Sequence, residues 1–363
     1  MDKRRAITKI ASMLVVTSIL VNHYKNTKAH TLELEGIRVG MVTDTGTIYD
    51  KSFNQATWEG VERAAKEFNL VSTYLKPTQT TETQYLQAID NLVNSRYNLI
   101  VTPGVRFETT IAKAQEKYKD IKFIIVNTTP KSADGKVKIA NNTVAILFAE
   151  HEAGFLAGVA TALQIKEGAV GFMGGMRMPP VQRFNFGFQQ GIKYANDNLG
   201  TNIELKPENV RYVGAFNNIE LSEKLASEMY DRGVKAIFVA AGQSGIGAIN
   251  EAKKMAFAGK EAWIIGVDRD QYESGTYLGK KSIVLTSAVI NLDDATYDVI
   301  KAATQGNFEG GKTLIYSVKN DGVGLPKKNP NLSEDTIKKV NEIYEKIKTG
   351  DIKVSSEKGN LLD

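Results

Sequence analysis

Acidic side chains follow several of the apolar runs in this 363-residue chain. Asp44 and Asp50 lie between an apolar run at 37–42 and a helical pattern that begins near Phe53, and Asp268 follows the run at 263–267. Carboxylates at such positions can accept hydrogen bonds from sugar hydroxyls, although each could instead cap a helix or form a salt bridge. These residues indicate a candidate site for a small polar ligand.

Two phenylalanines could flank a planar group in the same site. Phe53 belongs to the first loop, and Phe184 lies at 182–188, where three phenylalanines alternate. Rings at alternate positions cannot all face one side of a helix, so at least one ring should face a cleft or a partner. Packing in the core is the alternative for either ring. If both rings line one cleft, they can stack on the two faces of a flat base.

Two glycine-rich stretches share features with phosphate-binding loops. Gly242 begins a stretch at 242–247 that follows a predicted strand and opens a helical pattern, so its free amides could bind a ligand oxygen. Close helix packing is the alternative there. The stretch at 306–313 matches the spacing G-x-x-x-x-G-K-T, but it lies after a helix and before a strand. This order is the reverse of a P-loop, so we interpret it as a turn.

Two consecutive series of alternating strand and helix patterns position these residues. The first series covers residues 37–148 and the second begins with an apolar helix at 153–163. Continuous apolar runs such as 123–126 are typical of buried parallel strands. The sequence therefore predicts an α/β protein with two doubly wound, Rossmann-like lobes that face one cleft. Ser52 is a candidate N-cap for the helix that follows the first loop.

The composition argues against several classes of protein. Residues 1–29 hold six basic residues and one acidic residue, which leaves 40 of each in the rest of the chain. This balance argues against nucleic-acid binding by bulk charge. The chain has no cysteine, which excludes disulfides, thiol nucleophiles and thiolate metal sites. Only His151 lies beyond residue 30, so we expect neither an enzyme nor a bound metal or cofactor.

Residues 1–29 have the features of a secretory signal. Basic residues at 3–9 precede an apolar stretch at 10–21, and Ala29 ends a short segment that resembles a cleavage site. An uncleaved anchor is the alternative. We predict an exported, extracytoplasmic protein, at the cell surface or in the periplasm, without a lipobox cysteine.

Five stretches of the chain carry a recognisable set of motifs. The opening signature reads VGMVTD at 39–44, DKSFNQ at 50–55 and WEG at 58–60. Further stretches are EAGFLAG at 152–158, VGFMGGM at 170–176, AAGQSG at 240–245 and GVDRDQ at 266–271. Together these motifs resemble the basic membrane protein family, the nucleoside-binding subunits of bacterial ABC importers. The resemblance covers roughly residues 37–350 in order.

This resemblance implies a type I periplasmic-binding-protein fold with a central cleft and crossovers between the lobes. It places 37–146 plus about 269–308 in the N-terminal lobe and 147–268 plus about 309–363 in the C-terminal lobe. It implies a purine nucleoside as ligand, an ABC permease as partner and a monomer. By position, Phe53 and Phe184 would sandwich the base, and the ribose and its surroundings would be held by Asp44, Asn54, Gly242 and Asp268.

Two candidate binding positions depart from the family pattern. The family usually has an aspartate where this chain has Asn127, and a lysine where it has Ile290. Losing a carboxylate and an ammonium keeps the charge of the site balanced but removes two charge-assisted hydrogen bonds. The site therefore either binds nucleosides differently or weakly, or binds another ligand. A membrane-tethered sensor of the same fold with a different small-molecule ligand is the alternative function.

Overall fold

A computed structural model describes residues 36–279 and 281–363, so the predicted signal at 1–29 lies outside the described residues. The first lobe is built on a parallel sheet with the strand order β13-β5-β4-β3-β1-β2. Its strands are β1 (Arg38–Val42), β2 (Val71–Leu75), β3 (Leu99–Pro103), β4 (Lys122–Val126), β5 (Thr143–Phe148) and β13 (Lys312–Tyr316). The helices of this lobe are α1 (Phe53–Glu67), α2 (Glu82–Asn94), α3 (Glu108–Lys117) and α8 (Leu292–Thr304).

The second lobe contains another six-stranded sheet, with the order β14-β12-β9-β8-β6-β7. Its strands are β6 (Glu167–Gly174), β7 (Asn202–Tyr212), β8 (Val234–Ala240), β9 (Trp263–Asp268), β12 (Val284–Ile290) and β14 (Val323–Gly324). Only β14 runs antiparallel to its neighbour among these described strands. A small hairpin of β10 (Thr276–Tyr277) and β11 (Lys281–Ser282) precedes β12. The helices are α4 (Glu150–Ile165), α5 (Pro179–Asn198), α6 (Ile219–Asp231), α7 (Gly245–Phe257) and α9 (Glu334–Thr349).

These two sheets confirm the predicted α/β class and the two-lobe arrangement, but the predicted lobe segments are wrong in two places. Residues 284–290 pair with β9 in the second sheet rather than joining the first lobe. Residues 312–316 pair with β5 in the first sheet rather than joining the second lobe. Alternating strands and helices do not show which sheet a strand joins, because that depends on its pairing partner. Within residues 36–279 and 281–363, the chain therefore crosses between the lobes three times, after β5, β12 and β13.

Two helices of the second lobe, α4 and α5, pack unusually closely because glycines lie at their contact. A Cβ atom added to Gly187 of α5 would lie 2.0 Å from the backbone oxygen of His151. A Cβ atom added to Gly158 of α4 would lie 2.4 Å from the backbone oxygen of Phe188. The two helix backbones can approach this closely only where side chains are absent.

The C-terminal residues lie along α5 and hold it from the other side. Gln189 donates from Nε2 to the backbone oxygen of Leu362 at 2.8 Å and accepts the Leu362 N–H at Oε1, also at 2.8 Å. Asn185 and Gln182 make further hydrogen bonds to Leu362 and Asp363, at 3.0 and 2.8 Å. Helix α5 is thus fixed on two faces, and its first turns are the ones that reach the cleft.

Candidate functional site

A cavity lies between the lobes, where the carboxyl ends of β1, β3 and β4 face those of β8 and β9. It contains about 750 Å³ of empty space, counted out to its open mouth. The first lobe supplies Asp44, Gly46, Asp50, Phe53, Asn54, Gly104, Val105, Arg106 and Asn127, and the second supplies Met178, Pro180, Val181, Phe184, Phe216, Ala240, Gly242, Gln243, Val267 and Asp268.

Seven of the eight predicted site residues line this cavity: Asp44, Phe53, Asn54, Asn127, Phe184, Gly242 and Asp268. The eighth, Ile290, does not. It ends β12, pairs with Val323 and is 1 % exposed within the apolar core. The prediction that Ile290 belongs to the site is therefore corrected. Its apolar side chain packs into the core and not toward the cleft.

The first loop forms a compact network of hydrogen bonds around Asn54. Its Nδ2 donates to Asp44 Oδ1 at 2.9 Å and to Asp50 Oδ2 at 2.8 Å. Asp50 also accepts the backbone N–H groups of residues 52, 54 and 55, at 2.9 to 3.1 Å. Ser52 occupies the predicted N-cap position, but its own side chain does not cap the helix. Asp50 thus satisfies the free amides at the start of α1 and fixes the loop that presents Asp44.

Burial raises the pKa of both Asp44 and Asp50. For Asp44, hydrogen bonds from Gly46 and Asn54 and the charge of Arg106 oppose this effect. For Asp50, hydrogen bonds from Asn54, Ser52 and Gln55 oppose it. The loop therefore holds a buried carboxylate at Asp50 and a half-buried one at Asp44. Only Asp44 has lone pairs near the cavity that the loop amides do not already use.

Three contacts join the lobes beside the cavity. The hydroxyl of Ser52 donates to Asp268 Oδ2 across the cleft. Gln271 Nε2 donates to the backbone oxygen of Lys51 at 2.9 Å. Arg269 Nη1 lies 2.9 Å from Glu59 Oε1. The first helix, with the loop before it, is thereby tied to the residues that follow β9, and the lobes are closed on each other.

Asp268 gives this closed arrangement a pH dependence. Burial raises its pKa to about 7, helped by the charges of Asp50 and Glu150 and opposed by the hydrogen bond from Ser52. The folded protein therefore binds a proton that the unfolded chain releases near pH 3.8, the ordinary value. The stability from that proton is complete below pH 3.8 and is lost as the pH rises to about 7.

We expect Asp268→Asn to remove this pH dependence. Relative to the variant, the wild-type protein should lose free energy of unfolding between about pH 4 and 7 and then stay level. Urea unfolding at half-unit pH steps measures the difference. Asp197→Asn, which removes an exposed carboxylate far from the cleft, shows the effect of the substitution itself. A difference for Asp268→Asn that does not change with pH would show that Asp268 titrates normally.

Aromatic rings from both lobes line the cavity. Phe53 extends from the first turn of α1, and Phe184 extends from α5 with its ring 5.9 Å from that of Phe238, edge to face. A third ring, Phe216, was not predicted. It lies against Gly175 and Gly242, where an added Cβ at Gly175 would be 2.3 Å from the ring. In the sequence, Phe216 lies between a strand and a helix, as the predicted residues Asp44 and Gly242 do.

Arg106 is another lining residue that the sequence analysis missed. It is the one cation among the described residues that line the cavity, and its Nε is buried without a hydrogen-bond partner. Its Nη2 contacts Met176 Sδ of the opposite lobe at 3.3 Å. Gly104–Arg106 directly follows β3. The position after a strand, which made Asp44 a candidate, is therefore shared by Arg106. A buried donor without a partner is suited to bind a ligand oxygen.

The other features that could support chemistry lie elsewhere or do not occur in the described residues. His151 does not line the cavity, and burial, with the charge of Arg183, lowers its pKa to about 4. The described residues contain no group of three histidine, aspartate or glutamate side chains placed to hold a metal ion. None of the described helices has the length and apolar character needed to cross a membrane. The side chains that line the cavity include hydrogen-bonding groups and aromatic rings.

Known proteins of similar sequence and structure agree with this geometry. The family model for the PnrA-like substrate-binding proteins of ABC transporters matches residues 37–358. The CD4+ T-cell-stimulating antigen of Listeria monocytogenes is 34 % identical over 325 residues, with 87 % of each chain covered. The ABC transporter nucleoside-binding protein BmpA of Lactococcus lactis is 30 % identical, with 80 % of this chain and 81 % of that protein covered.

The similarity extends to a solved structure. A solute-binding protein of an ABC transporter system from Aeropyrum pernix superposes with a TM-score of 0.76 at 26 % identity, covering 88 % of this chain and 94 % of that one. The family match, the two-lobe fold and the cleft agree with one another. The chain belongs to the basic membrane protein family of PnrA-like ABC transporter substrate-binding proteins.

Proposed function

We propose that this protein is an exported, monomeric solute-binding protein of an ABC importer and that it binds a purine nucleoside between its lobes. The single observation that carries this proposal is the pair of rings at Phe53 and Phe184, which come from opposite lobes and line one cavity. A flat base can be enclosed between two such rings only when the lobes close on it.

The polar residues of the cavity suit the rest of a nucleoside. Asp44 and Asp268 are carboxylates from opposite lobes, and each can accept a hydrogen bond from a ribose hydroxyl. Arg106 and the backbone of Gly242, which has a left-handed φ of 55°, offer donors on the remaining walls. Closure around the ligand would then give the membrane permease a form to recognise, as in other binding proteins with hinged lobes.

Isothermal calorimetry on residues 30–363 tests the proposal. Inosine, guanosine and adenosine are expected to bind, while uridine and free ribose bind more weakly because they offer less ring surface. Phe53→Ala is expected to weaken inosine binding roughly 5- to 150-fold, since stacking on one aromatic ring contributes about 1–3 kcal/mol.

Phe257→Ala is the matched control, because Phe257 is an exposed ring at the far end of α7. It should leave nucleoside affinity unchanged. No heat of binding with any of the three purine nucleosides would refute the proposed ligand. Equal affinities for Phe53→Ala and the parent protein would instead refute the stacking role.

A further inference from the structure

The start of α5 forms part of the cavity wall, and its own backbone does little to hold it. Val181 and Phe184 line the cavity from this part of the helix. Pro179 and Pro180, the first two residues of the helix, have no N–H groups to donate to the loop before them. Met178, at the N-cap position, makes no side-chain cap. The position of this wall therefore depends on side-chain contacts from other parts of the lobe.

Asp363 lies beside this start of α5 and binds three partners through one oxygen atom. Gln182 Nε2 donates to its Oδ1 at 2.8 Å, and the Tyr212 hydroxyl donates to the same atom at 3.3 Å. Arg177 Nη1 lies 3.1 Å from it, and the Arg177 guanidinium also lies 4.3 Å from the centre of the Tyr212 ring. One carboxylate thus joins the loop before α5, the first turn of α5 and the end of β7.

The segment that carries Asp363 is itself bound along α5. Leu362 and Gln189 exchange two hydrogen bonds of 2.8 Å. Ser355 and Gln190 do the same, at 2.8 and 2.9 Å. These bonds hold the Asp363 carboxylate in a fixed place beside the helix.

Arg177 and Gln182 connect this carboxylate to the residues that face the cavity. Arg177 lies between Met176, whose sulfur contacts the opposite lobe at 3.3 Å, and Met178, which lines the cavity. Gln182 follows Val181, another lining residue. A shift of Arg177 or Gln182 would therefore move side chains that lie against a bound ligand.

We propose that Asp363 is a positioning residue for the second-lobe wall of the cavity, and that it acts through Arg177 and Gln182. None of these three residues lines the cavity itself. A wall that is already held in its bound geometry loses less freedom when the ligand binds, so affinity is higher. The inference rests on the proposed function for its ligand and deepens it, because it makes affinity depend on a residue outside the cavity.

Hydrogen exchange of the ligand-free protein tests the positioning directly. Asp363→Ala is expected to speed exchange of the Gln182 amide, which donates to the Met178 oxygen at 2.9 Å, because the start of α5 opens more often. The Leu199 amide, which donates to the Ala195 oxygen at the other end of α5, should keep the exchange rate of the parent protein. An unchanged rate at Gln182, or equal acceleration at both amides, would overturn the proposal.

Calorimetry with inosine on residues 30–363 tests the consequence for binding. Asp363→Ala is expected to weaken inosine binding roughly 2- to 30-fold, the range for substitutions that act on a site through other residues. Asp197→Ala is the matched control, because Asp197 is an ion-paired aspartate near the far end of the same helix. It should leave inosine affinity unchanged.

The two measurements separate this inference from the proposed function. If Asp363 only anchors its own segment, Asp363→Ala lowers the urea midpoint but binds inosine like the parent protein, which would overturn the positioning role and leave the proposed function standing. If the parent protein does not bind inosine, the proposed function fails, and the exchange rates still decide whether Asp363 holds the wall.

A double-mutant cycle tests the route through Arg177. Arg177→Met alone should also weaken inosine binding. The double variant Arg177→Met/Asp363→Ala should weaken it by less than the product of the two single effects, because both substitutions remove the same contact. Single effects that multiply in full would show that Asp363 does not act through Arg177.

Discussion

Replacing Arg183 with methionine is expected to lower the free energy of unfolding by about 3–5 kcal/mol. Glu150 has no solvent exposure, whereas the Arg183 side chain is 25 % exposed. Methionine keeps much of the packing of the arginine stem but leaves a buried carboxylate without its cation. An uncompensated buried charge is among the few causes of such a large loss from one substitution.

The loss should shrink as the pH is lowered. Burial already raises the pKa of Glu150, and Arg183 is the charge that opposes this effect. Without it the folded-state pKa rises further, so the folded variant takes up a proton and regains stability as the pH falls. Urea unfolding of both proteins between pH 5 and 8 measures this convergence.

Arg211→Met is the matched control. Arg211 pairs with Glu228 at 3.2 Å, but their side chains are 37 % and 38 % exposed, so water can replace the lost partner. The expected cost is at most about 1 kcal/mol. If the two arginine variants are equally stable, the Glu150–Arg183 pair does not have the buried character that the structure shows.

The second large effect is expected from Gly187→Val in α5. The new Cβ would lie 2.0 Å from the backbone oxygen of His151, and a backbone cannot move aside as a flexible side chain can. We expect a loss of about 3 kcal/mol or more in the free energy of unfolding, the upper range for overpacking. Valine has a higher helix propensity than glycine, but this difference offsets only a few tenths of a kcal/mol of the lost stability.

Gly187→Ala and Gly36→Ala complete this test. Alanine adds only the Cβ and gains about 1 kcal/mol of helix propensity, so its net loss should be about 2 kcal/mol. Gly36 has no atom within 4 Å of an added Cβ, so Gly36→Ala should change stability by at most about 0.5 kcal/mol. Thermal melts and urea unfolding measure all three. If Gly187→Val is as stable as Gly36→Ala, the close approach of α4 and α5 is wrong.

Much of the site could be predicted because its residues occupy one kind of position. Asp44 and Gly242 each follow a strand, and the carboxyl ends of parallel strands meet at one edge of a sheet. This local rule needs no knowledge of distant partners. Applied to every strand, it would also have found Arg106, which follows β3 as Asp44 follows β1.

The features that the sequence did not predict depend on partners far along the chain. The strand at 312–316 pairs with β5, and nothing within that strand identifies the sheet it joins. Ile290 was placed in the site by position in a family pattern, but packing in the core decides where its side chain lies.

The three crossings between the lobes also determine when each lobe can be completed during synthesis. The first sheet lacks its edge strand β13 until residue 316 has been made, and by then the whole of β6 to β12 has been synthesised. The second sheet lacks β14 until residue 324. A growing chain therefore cannot finish one lobe before starting the other, as domains that are continuous in sequence can. The two sheets therefore become complete within a few residues of each other, at residues 316 and 324.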